Sequence, residues 1–296
     1  MKPKVIAVVG PTSSGKTALG IYLAEKFDGE VISADSRQVY RGLDIGTGKV
    51  TRREMRGVPH HLIDVASPKR QFSVDDFVKK ARKACSRILQ NTRIPIVVGG
   101  TGLYADALLG RISIPPVAPD AALRKRLEKK SAKELFAILR KLDPRRAKTI
   151  ERDHPRRLIR AIEIAKAIGR SPAPSDGAGQ SPYDVLWLGI AVPQKKLEKN
   201  IRARLRARMK AGMVAEVKRL HAQGLSYQRM EALGLKYRFL AHYLRGVLPK
   251  EQMEQELERA IRKYAKRQMR WLRRNPDIRW IQNKTEAVVL ARKFLT

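Results

Sequence analysis

Residues 5–17 of this chain read Val5-Ile6-Ala7-Val8-Val9-Gly10-Pro11-Thr12-Ser13-Ser14-Gly15-Lys16-Thr17. The apolar run predicts a buried strand, and the residues after it match the phosphate-loop pattern G-x-x-x-x-G-K-[ST] in full. A helical spacing of apolar residues follows, at Leu19, Leu23 and Phe27. In such a unit the loop amides and the helix N-terminus hold phosphate oxygens, the lysine neutralises a phosphate and the hydroxyl ligates Mg²⁺. We therefore predict a phosphate site over these residues.

Outward from this unit, short β-branched runs alternate with helical stretches, which is typical of a parallel sheet covered by helices. The further strand candidates are Glu30 to Ser33, Ile94 to Val98, Val185 to Val192 and Arg279 to Ile281. We predict an α/β fold: a P-loop NTPase-like parallel sheet core, with helices on both faces, formed by residues 1–115 and 186–296. Residues 116–185 follow a proline-rich breaker and show short amphipathic helices that end in a loop at 171–177, so we predict a helical insertion domain there.

The charge balance predicts a polyanionic partner. The 296 residues include 63 Lys and Arg against 28 Asp and Glu, a net charge of +35, and the sequence pI is about 10.8. So many cations repel one another unless they face phosphates or water. No apolar run approaches the length of a membrane span, so we expect a cytoplasmic protein without a membrane partner. The single Cys85 excludes an internal disulfide and every multi-cysteine zinc site.

Two polar residues follow predicted strands and are candidates for chemistry. Asp35 comes after the second strand, and Thr101 lies in the turn Gly99-Gly100-Thr101-Gly102 after the third. The carboxyl ends of parallel strands face the crevice where ligands bind, so both are expected near the phosphate loop. Each residue has a structural alternative, because an Asp also caps turns and glycines also permit tight turns. A nucleotide hydrolase requires an acidic residue at the end of an apolar strand, and the third strand has none there; Asp64, after the short run Leu62-Ile63, is a substitute of low specificity. The loop is therefore expected to hold a pyrophosphate.

Basic stripes run along the helices of the last third of the chain. In Gln194 to Ala211 apolar residues recur every four positions, and Lys and Arg occupy other faces. A basic stripe is usually a solvated face, but helices this poor in acids also favour contacts with phosphates. The adjacent His60 and His61 diverge and are assigned no metal.

Six segments together resemble the tRNA dimethylallyltransferase family, also called the tRNA isopentenyltransferase family. They span nearly the whole chain, and the second and fifth are the most specific: Gly10–Thr17, Ile32–Thr47, Gly57–Asp64, Phe72–Phe77, Val98–Tyr104 and Ala265–Trp271. The resemblance implies transfer of a dimethylallyl group from dimethylallyl pyrophosphate to the exocyclic N6 amine of the adenosine beside the tRNA anticodon. With a single cysteine the chain lacks the zinc-finger extension of longer relatives, so the short bacterial form is expected.

The resemblance also assigns roles. Asp35 is implied to be the general base, Thr101 to hold the base or the substrate amine in line, and Lys16 to stabilise the leaving group. Thr17 is implied to hold magnesium together with pyrophosphate oxygens. The pyrophosphate is implied to lie on Gly10, Pro11, Thr12, Ser13, Ser14, Gly15, Lys16, Thr17 and Arg204.

The implied partner is the anticodon stem-loop of a tRNA, with the insertion gripping the stem, and the protein is expected to act as a monomer. The implied tRNA contacts are Asp35, Ser36, Arg37, Gln38, Thr101, Arg124, Arg156, Arg157, Leu158, Ile159 and Arg160. One departure is visible: where the family often shows Gly-Tyr-Lys, this chain reads Gly234-Leu235-Lys236-Tyr237, so the aromatic residue is displaced. The alternatives are a free-nucleotide prenyltransferase, a P-loop small-molecule kinase that uses ATP, and a non-catalytic RNA-binding module.

Overall fold

The computed structural model describes residues 1–169 and 181–296. Within these ranges one parallel sheet has the spatial order β3-β2-β4-β1-β5-β6. Its strands are β1 Lys4–Val9, β2 Gly29–Ser33, β3 His60–His61, β4 Ile94–Gly99, β5 Asp184–Ile190 and β6 Arg279–Ile281. The parallel sheet predicted from the alternating pattern is confirmed. Strand β3 was not predicted, because two residues are too few to show the alternation that marks a strand.

Strand β1 lies at the centre of the sheet and positions the phosphate loop. It pairs with β4 on one side and β5 on the other, with Val9 opposite both Gly99 and Gly189. Strand β2 pairs with β4, with Ser33 opposite Val98. Because all these pairs are parallel, the segments that follow β1, β2 and β4 emerge at the same edge of the sheet.

The close approach of two of these segments depends on a glycine. A Cβ on Gly99 would collide with the carbonyl oxygen of Ala34, and the N–H of Thr101 donates to that oxygen over 3.3 Å. The turn after β4 therefore packs directly on the turn after β2, which brings the neighbourhoods of Thr101 and Asp35 together.

Fourteen helices accompany the strands within the described residues. They are α1 Lys16–Lys26, α2 Arg52–Met55, α3 Val74–Gln90, α4 Gly102–Leu108, α5 Ala121–Leu127, α6 Ala132–Leu142, α7 Pro144–Thr149, α8 Pro155–Ile168, α9 Gln194–Lys210, α10 Met213–Ala222, α11 Tyr227–Leu233, α12 Leu235–Leu244, α13 Lys250–Leu272 and α14 Lys284–Leu295. No helix in this part of the chain is both long enough and apolar enough to cross a membrane.

The chain divides into two compact units. The first contains residues 1–109 and 181–296 and holds the sheet. One of its cores joins strand residues such as Ile6 and Val98 to Leu19 and Leu23 of α1. A second core collects the buried faces of α9 to α13, including Leu205, Met213 and Leu257. The C-terminal helices therefore form a packed layer of their own in the unit that carries the phosphate loop.

The second unit contains residues 110–180 and has its own core. Leu135 and Leu139 of α6 pack with Leu158 and Ile162 of α8, and all four are fully buried. The predicted insertion had the limits 116 and 185, but β5 begins at Asp184, so residues 184 and 185 belong to the sheet. The loop predicted at 171–177 lies outside the described residues.

Candidate active site

The phosphate loop connects β1 to α1 and has the backbone that its glycines and serines allow. Gly15 has φ +91° and Ser13 has φ +64°, both in the left-handed region. The N–H of Ser14 and the ammonium of Lys16 both donate to the carbonyl of Pro11, each over 3.3 Å. The hydroxyl oxygen of Ser14 is buried and has no hydrogen-bond partner within the described residues. A buried hydroxyl of this kind, beside a helix N-terminus, fits an anion that accepts its hydrogen.

A glutamine from the C-terminal half of the chain fixes the loop in place. The Oε1 of the buried Gln268 on α13 accepts from the N–H of Thr12 over 2.9 Å, and its Nε2 donates to the carbonyl of Gly100 over 2.7 Å. One side-chain amide therefore connects the phosphate loop to the turn that carries Thr101. A neighbouring hydrogen bond, from Trp271 Nε1 to Asp106 Oδ2 over 2.7 Å, joins α13 to α4.

Four cations gather beside the loop. Lys16 of α1 faces Arg204 and Arg208 of α9 and Lys236 of α12, with Asp35 as the carboxylate among them. Burial lowers the pKa of Lys16 to about 8; Asp35 opposes this shift, and the two arginines add to it. Burial also lowers the pKa of Arg208 to about 10, with a further contribution from Arg204.

Three of these cations, Arg204, Arg208 and Lys236, line a cavity. It is bordered by residues of the loop, α9, α12 and α13: Thr12, Ser13, Ile201, Arg204, Leu205, Arg208, Lys236 and Ile261. Arg204 lies at the exposed rim and Arg208 is half-buried. A concentration of like charge without matching carboxylates opposes folding, so its presence at a phosphate loop indicates a site for a multiply charged anion.

The loop around Gly48 contacts both arginines and is itself anchored by α10. The carbonyl of Gly48 accepts from Arg204 Nη2 over 3.4 Å, and a Cβ on Gly48 would collide with the guanidinium of Arg208. The loop is fixed by the buried carboxylate of Glu216 on α10, which accepts the N–H groups of residues 44, 45 and 46 over 2.9, 2.6 and 3.0 Å. The hydroxyl of Tyr237 also donates to Glu216, over 2.8 Å. The displaced aromatic residue of the Gly234–Tyr237 segment therefore supports this anchor.

Asp35 follows Ala34 after the end of β2 and is half-buried, with one carboxylate oxygen hydrogen-bonded and the other available. Its Oδ1 accepts from the N–H of Arg37 over 2.8 Å and, more weakly, from the N–H of Gln38 over 3.4 Å. Its Oδ2 has no hydrogen bond within the described residues. This arrangement is an Asx turn, so the capping role considered for Asp35 is present. The turn also orients Oδ2, so Asp35 can cap the turn through Oδ1 and still offer Oδ2 to a substrate.

Thr101 is connected to the same turn. Its Oγ1 accepts from the N–H of Ser36 over 3.1 Å and lies 3.4 Å from the hydroxyl of Ser36. Burial raises the pKa of the nearby Tyr264 of α13 to about 12. Thr101 and the Asp35 turn therefore form one hydrogen-bonded group at the carboxyl edge of the sheet.

The remaining predicted residues of this turn differ in how far they are engaged. The amide of Gln38 is occupied within the protein, because Oε1 accepts from Ser33 over 3.3 Å and Nε2 donates to Gly48 over 3.4 Å. The guanidinium of Arg37 lies near the hydroxyls of Tyr104 and Tyr264 and lowers their pKa values against the larger effect of burial. Arg37 is therefore the residue of this turn with a cationic group beside aromatic side chains.

Sequence reasoning missed three residues of the site. Arg208 follows Arg204 by one helical turn, so the spacing could have identified it. Gln268 stands in an otherwise apolar stripe of α13, and a polar residue at a core position needs partners. Lys236 had no local signal beyond its place in the Gly234–Tyr237 segment.

The predicted residues of the insertion have two kinds of environment. Arg124 binds the buried Glu163 through two hydrogen bonds, of 2.7 and 2.8 Å, and Arg160 adds a third over 3.3 Å. Arg160 also donates to the carbonyl of Val117 over 2.8 Å. These two arginines hold the insertion together, and Glu163 compensates one of their two charges.

Of the segment 156–160 implied to contact tRNA, Leu158 and Ile159 have their side chains in the core of the insertion and not at its surface. Leu158 is fully buried and Ile159 nearly so, because the apolar stripe of α8 faces the core of the insertion. On the other face of α8, Arg156 is exposed and has no partner within the described residues, whereas Arg157 pairs with Glu151 over 2.7 Å.

This chain is similar to known proteins over most of its length. The family model described as IPP transferase matches residues 38–275. The tRNA dimethylallyltransferase of Thermomicrobium roseum is 42% identical over 280 residues, which cover 93% of this chain and 85% of that protein. The full-length tRNA isopentenylpyrophosphate transferase of Bacillus halodurans superposes with a TM-score of 0.73 at 35% identity, covering 99% of this chain and 96% of that one. A eukaryotic dimethylallyltransferase, whose structures were described as snapshots of the enzyme acting on tRNA, gives a TM-score of 0.76 at 27% identity, covering 91% and 70%.

Proposed function

Because this chain belongs to the IPP transferase family, we propose that it transfers a dimethylallyl group from dimethylallyl pyrophosphate to the N6 amine of the adenosine next to the anticodon of tRNA. The observation that carries this proposal is the group of four cations beside the phosphate loop, with Asp35 at its border. Cations suit the pyrophosphate, and a carboxylate suits an amine that must lose a proton. The relatives named as tRNA dimethylallyltransferases support this function over a kinase or a free-nucleotide prenyltransferase.

The cations and Asp35 act on different atoms in this reaction. The bond between carbon 1 of the dimethylallyl group and the bridging oxygen breaks, and its electron pair leaves with the pyrophosphate. A new bond forms between N6 and carbon 1, and N6 loses one proton. Lys16, Arg204 and Arg208 are placed to stabilise the negative charge that grows on the leaving group, which lowers the barrier most where water is excluded.

Asp35 is proposed as the base that accepts the N6 proton. An adenine amine is a weak nucleophile because its lone pair is delocalised into the ring, so removing the proton as the new bond forms lowers the barrier. The carboxylate oxygen Oδ2 has no hydrogen bond within the described residues, while Oδ1 is held by backbone amides. Thr101, bound to Ser36 in the same turn, is proposed to hold the amine in line.

Mg²⁺ fits this site only in company with the substrate. The described residues include no group of three or more His, Cys, Asp or Glu side chains that could hold a metal. Thr17, in the first turn of α1, has a hydroxyl that makes no hydrogen bond within the described residues, and Mg²⁺ is commonly held by one or two protein oxygens plus substrate phosphates. We propose Thr17 and pyrophosphate oxygens as its ligands. When bound, the ion supplies positive charge to the leaving group.

The tRNA is proposed to follow the basic surface. The target adenosine is stacked in the anticodon loop, so it has to leave the stack to reach Asp35. The guanidinium of Arg37, which lies near Tyr264, is a planar cation on which an unstacked base can stack. Arg156, exposed on the insertion, is proposed to contact a phosphate of the stem. We also propose that the protein acts as a monomer in the cytoplasm.

Mass analysis of tRNA nucleosides tests the function. The protein is incubated with Mg²⁺, dimethylallyl pyrophosphate and tRNA that lacks the modification, and we expect N6-dimethylallyl adenosine next to the anticodon. Asp35→Asn keeps the acceptor for the Arg37 N–H but not the base, so turnover should fall by about 100-fold or more, while tRNA binding persists. Asp75→Asn, at an exposed carboxylate on α3, is the matched control. Full turnover by Asp35→Asn would exclude Asp35 as the base. Equally fast transfer to free AMP would exclude tRNA as the specific substrate.

A further inference from the structure

Lys236 is the cavity cation to which the reaction described above assigns no separate role. It lies in the first turn of α12 and borders the cavity together with Thr12 and Ser13 of the phosphate loop and the two arginines of α9. Within the described residues its ammonium has no hydrogen bond and no ion pair. An ammonium group that faces a phosphate loop without a partner is placed for a ligand that brings negative charge.

The charged groups around Lys236 come from three other elements. Arg204 and Arg208 lie on α9, Lys16 lies on α1, and Asp35 follows β2. Three of these four neighbours are cations, so the protein itself disfavours the charged form of Lys236. The N-terminus of α12 adds positive potential of the same sign. Desolvation and these cations lower the pKa of Lys236 well below its ordinary value, and Asp35 opposes the shift.

We propose that Lys236 is a pyrophosphate-binding residue whose ammonium takes up a proton as the anion binds and donates it in a hydrogen bond to a pyrophosphate oxygen. This inference rests on the proposed function, because it names a ligand of the same donor site. A pyrophosphate brings several negative charges into a group of cations and reverses the local potential. The protonated form of Lys236 is then favoured, and binding and proton uptake are linked.

The consequence is a difference between Lys236 and its neighbours. The two arginines retain their charge at neutral pH, because Arg208, even when shifted, has a pKa of about 10. Lys16, with a pKa of about 8, is mostly charged at pH 7. Burial and the neighbouring cations lower the pKa of Lys236 well below its ordinary value, so we expect its charge to depend on the bound anion.

Calorimetric titration with inorganic pyrophosphate and Mg²⁺ tests this proposal. Each titration is carried out at pH 7 and pH 8 in buffers of different ionisation enthalpy, which gives the number of protons taken up on binding. We expect uptake by the wild type that is reduced in Lys236→Gln, with affinity weakened about tenfold, as for loss of a charged hydrogen bond. Lys26→Gln, at an exposed lysine in the last turn of α1, is the control that should change neither quantity.

A second variant and a folding measurement separate the outcomes. Lys236→Arg carries a permanent charge, so it should bind pyrophosphate without the proton uptake that depends on Lys236. Thermal unfolding of Lys236→Gln without ligand should occur at about the same temperature as that of the wild type, because Lys236 adds little charge before the anion binds, so a weaker affinity reports on binding and not on folding. Unchanged affinity and unchanged uptake in a folded Lys236→Gln would overturn the inference. A wild type that binds no pyrophosphate would instead contradict the proposed function.

Discussion

Replacement of Gln268 by leucine tests how the site is assembled. The side chain is buried, and its amide makes two hydrogen bonds, to the N–H of Thr12 over 2.9 Å and to the carbonyl of Gly100 over 2.7 Å. Leucine keeps the approximate volume and leaves both backbone groups without a partner. A buried polar group that loses its partner costs about 1–3 kcal/mol, and the additional apolar burial returns part of this.

The expected loss of unfolding free energy is about 3 kcal/mol, which corresponds to a fall of about 5 °C in Tm for a chain of this size. Catalysis should fall as well, because the phosphate loop and the Thr101 turn are then positioned independently. We expect kcat/KM for dimethylallyl pyrophosphate to decrease by about tenfold, or about 1.4 kcal/mol of transition-state stabilisation. The assays are urea unfolding followed by circular dichroism, and steady-state transfer to tRNA.

Two further variants make the test specific. Gln252→Leu alters an exposed glutamine on the same helix, whose amide bonds to Glu256 and to no other described residue, and should cost less than about 0.5 kcal/mol. Gln268→Glu keeps the acceptor for Thr12 but places a carboxylate oxygen against the carbonyl of Gly100, so it should be impaired as well. If Gln268→Leu matches Gln252→Leu in both unfolding free energy and kcat/KM, the connecting role of Gln268 is refuted.

Tyr237→Phe should lower the unfolding free energy by about 1 kcal/mol, because it removes one of four donors to the buried Glu216; an unchanged urea midpoint would contradict this anchor. Arg156→Gln should weaken tRNA binding and reduce the slope of log Kd against log salt by about 1, whereas Arg124→Gln should mainly destabilise the insertion; equal slopes for wild type and Arg156→Gln would remove the phosphate contact. Pyrophosphate affinity should fall as pH rises through about 8, where Lys16 loses its proton, and calorimetry that shows constant affinity from pH 7 to 9.5 would exclude a charged Lys16 as a ligand.

The part of this site that is local in sequence could be predicted, and the part that is assembled from distant segments could not. The residues of the phosphate loop are consecutive in the sequence, and the flanking strand and helix each have an apolar pattern that is recognisable within a few residues. Asp35 and Thr101 could be placed because parallel strands present their carboxyl ends at one edge. The hydrogen bond from the Ser36 N–H to Thr101, between residues 65 positions apart, then follows from the register of β2 and β4.

Gln268 and Lys236 depend on packing that no local pattern contains. The contact of Gln268 with Thr12 spans 256 positions, and it exists only because α13 packs beside the phosphate loop. Leu158 and Ile159 show a different limit. They stand within a segment that the family resemblance implied to contact tRNA, and the helical period turns these two side chains towards the core of the insertion.

Because β1 lies at the centre of the sheet, the sheet can be completed only late in the synthesis of the chain. One edge of β1 is paired only when β5 exists, and β5 begins at Asp184, so a nascent chain that ends earlier presents an unpaired edge in the middle of its future sheet. The cations that face the phosphate loop follow later still, at residues 204, 208 and 236, and the glutamine that holds the loop is at 268. The ribosome therefore produces the loop among the first residues and the groups that complete its anion site among the last. A product that terminates before α13 carries an intact phosphate-loop motif without a finished site.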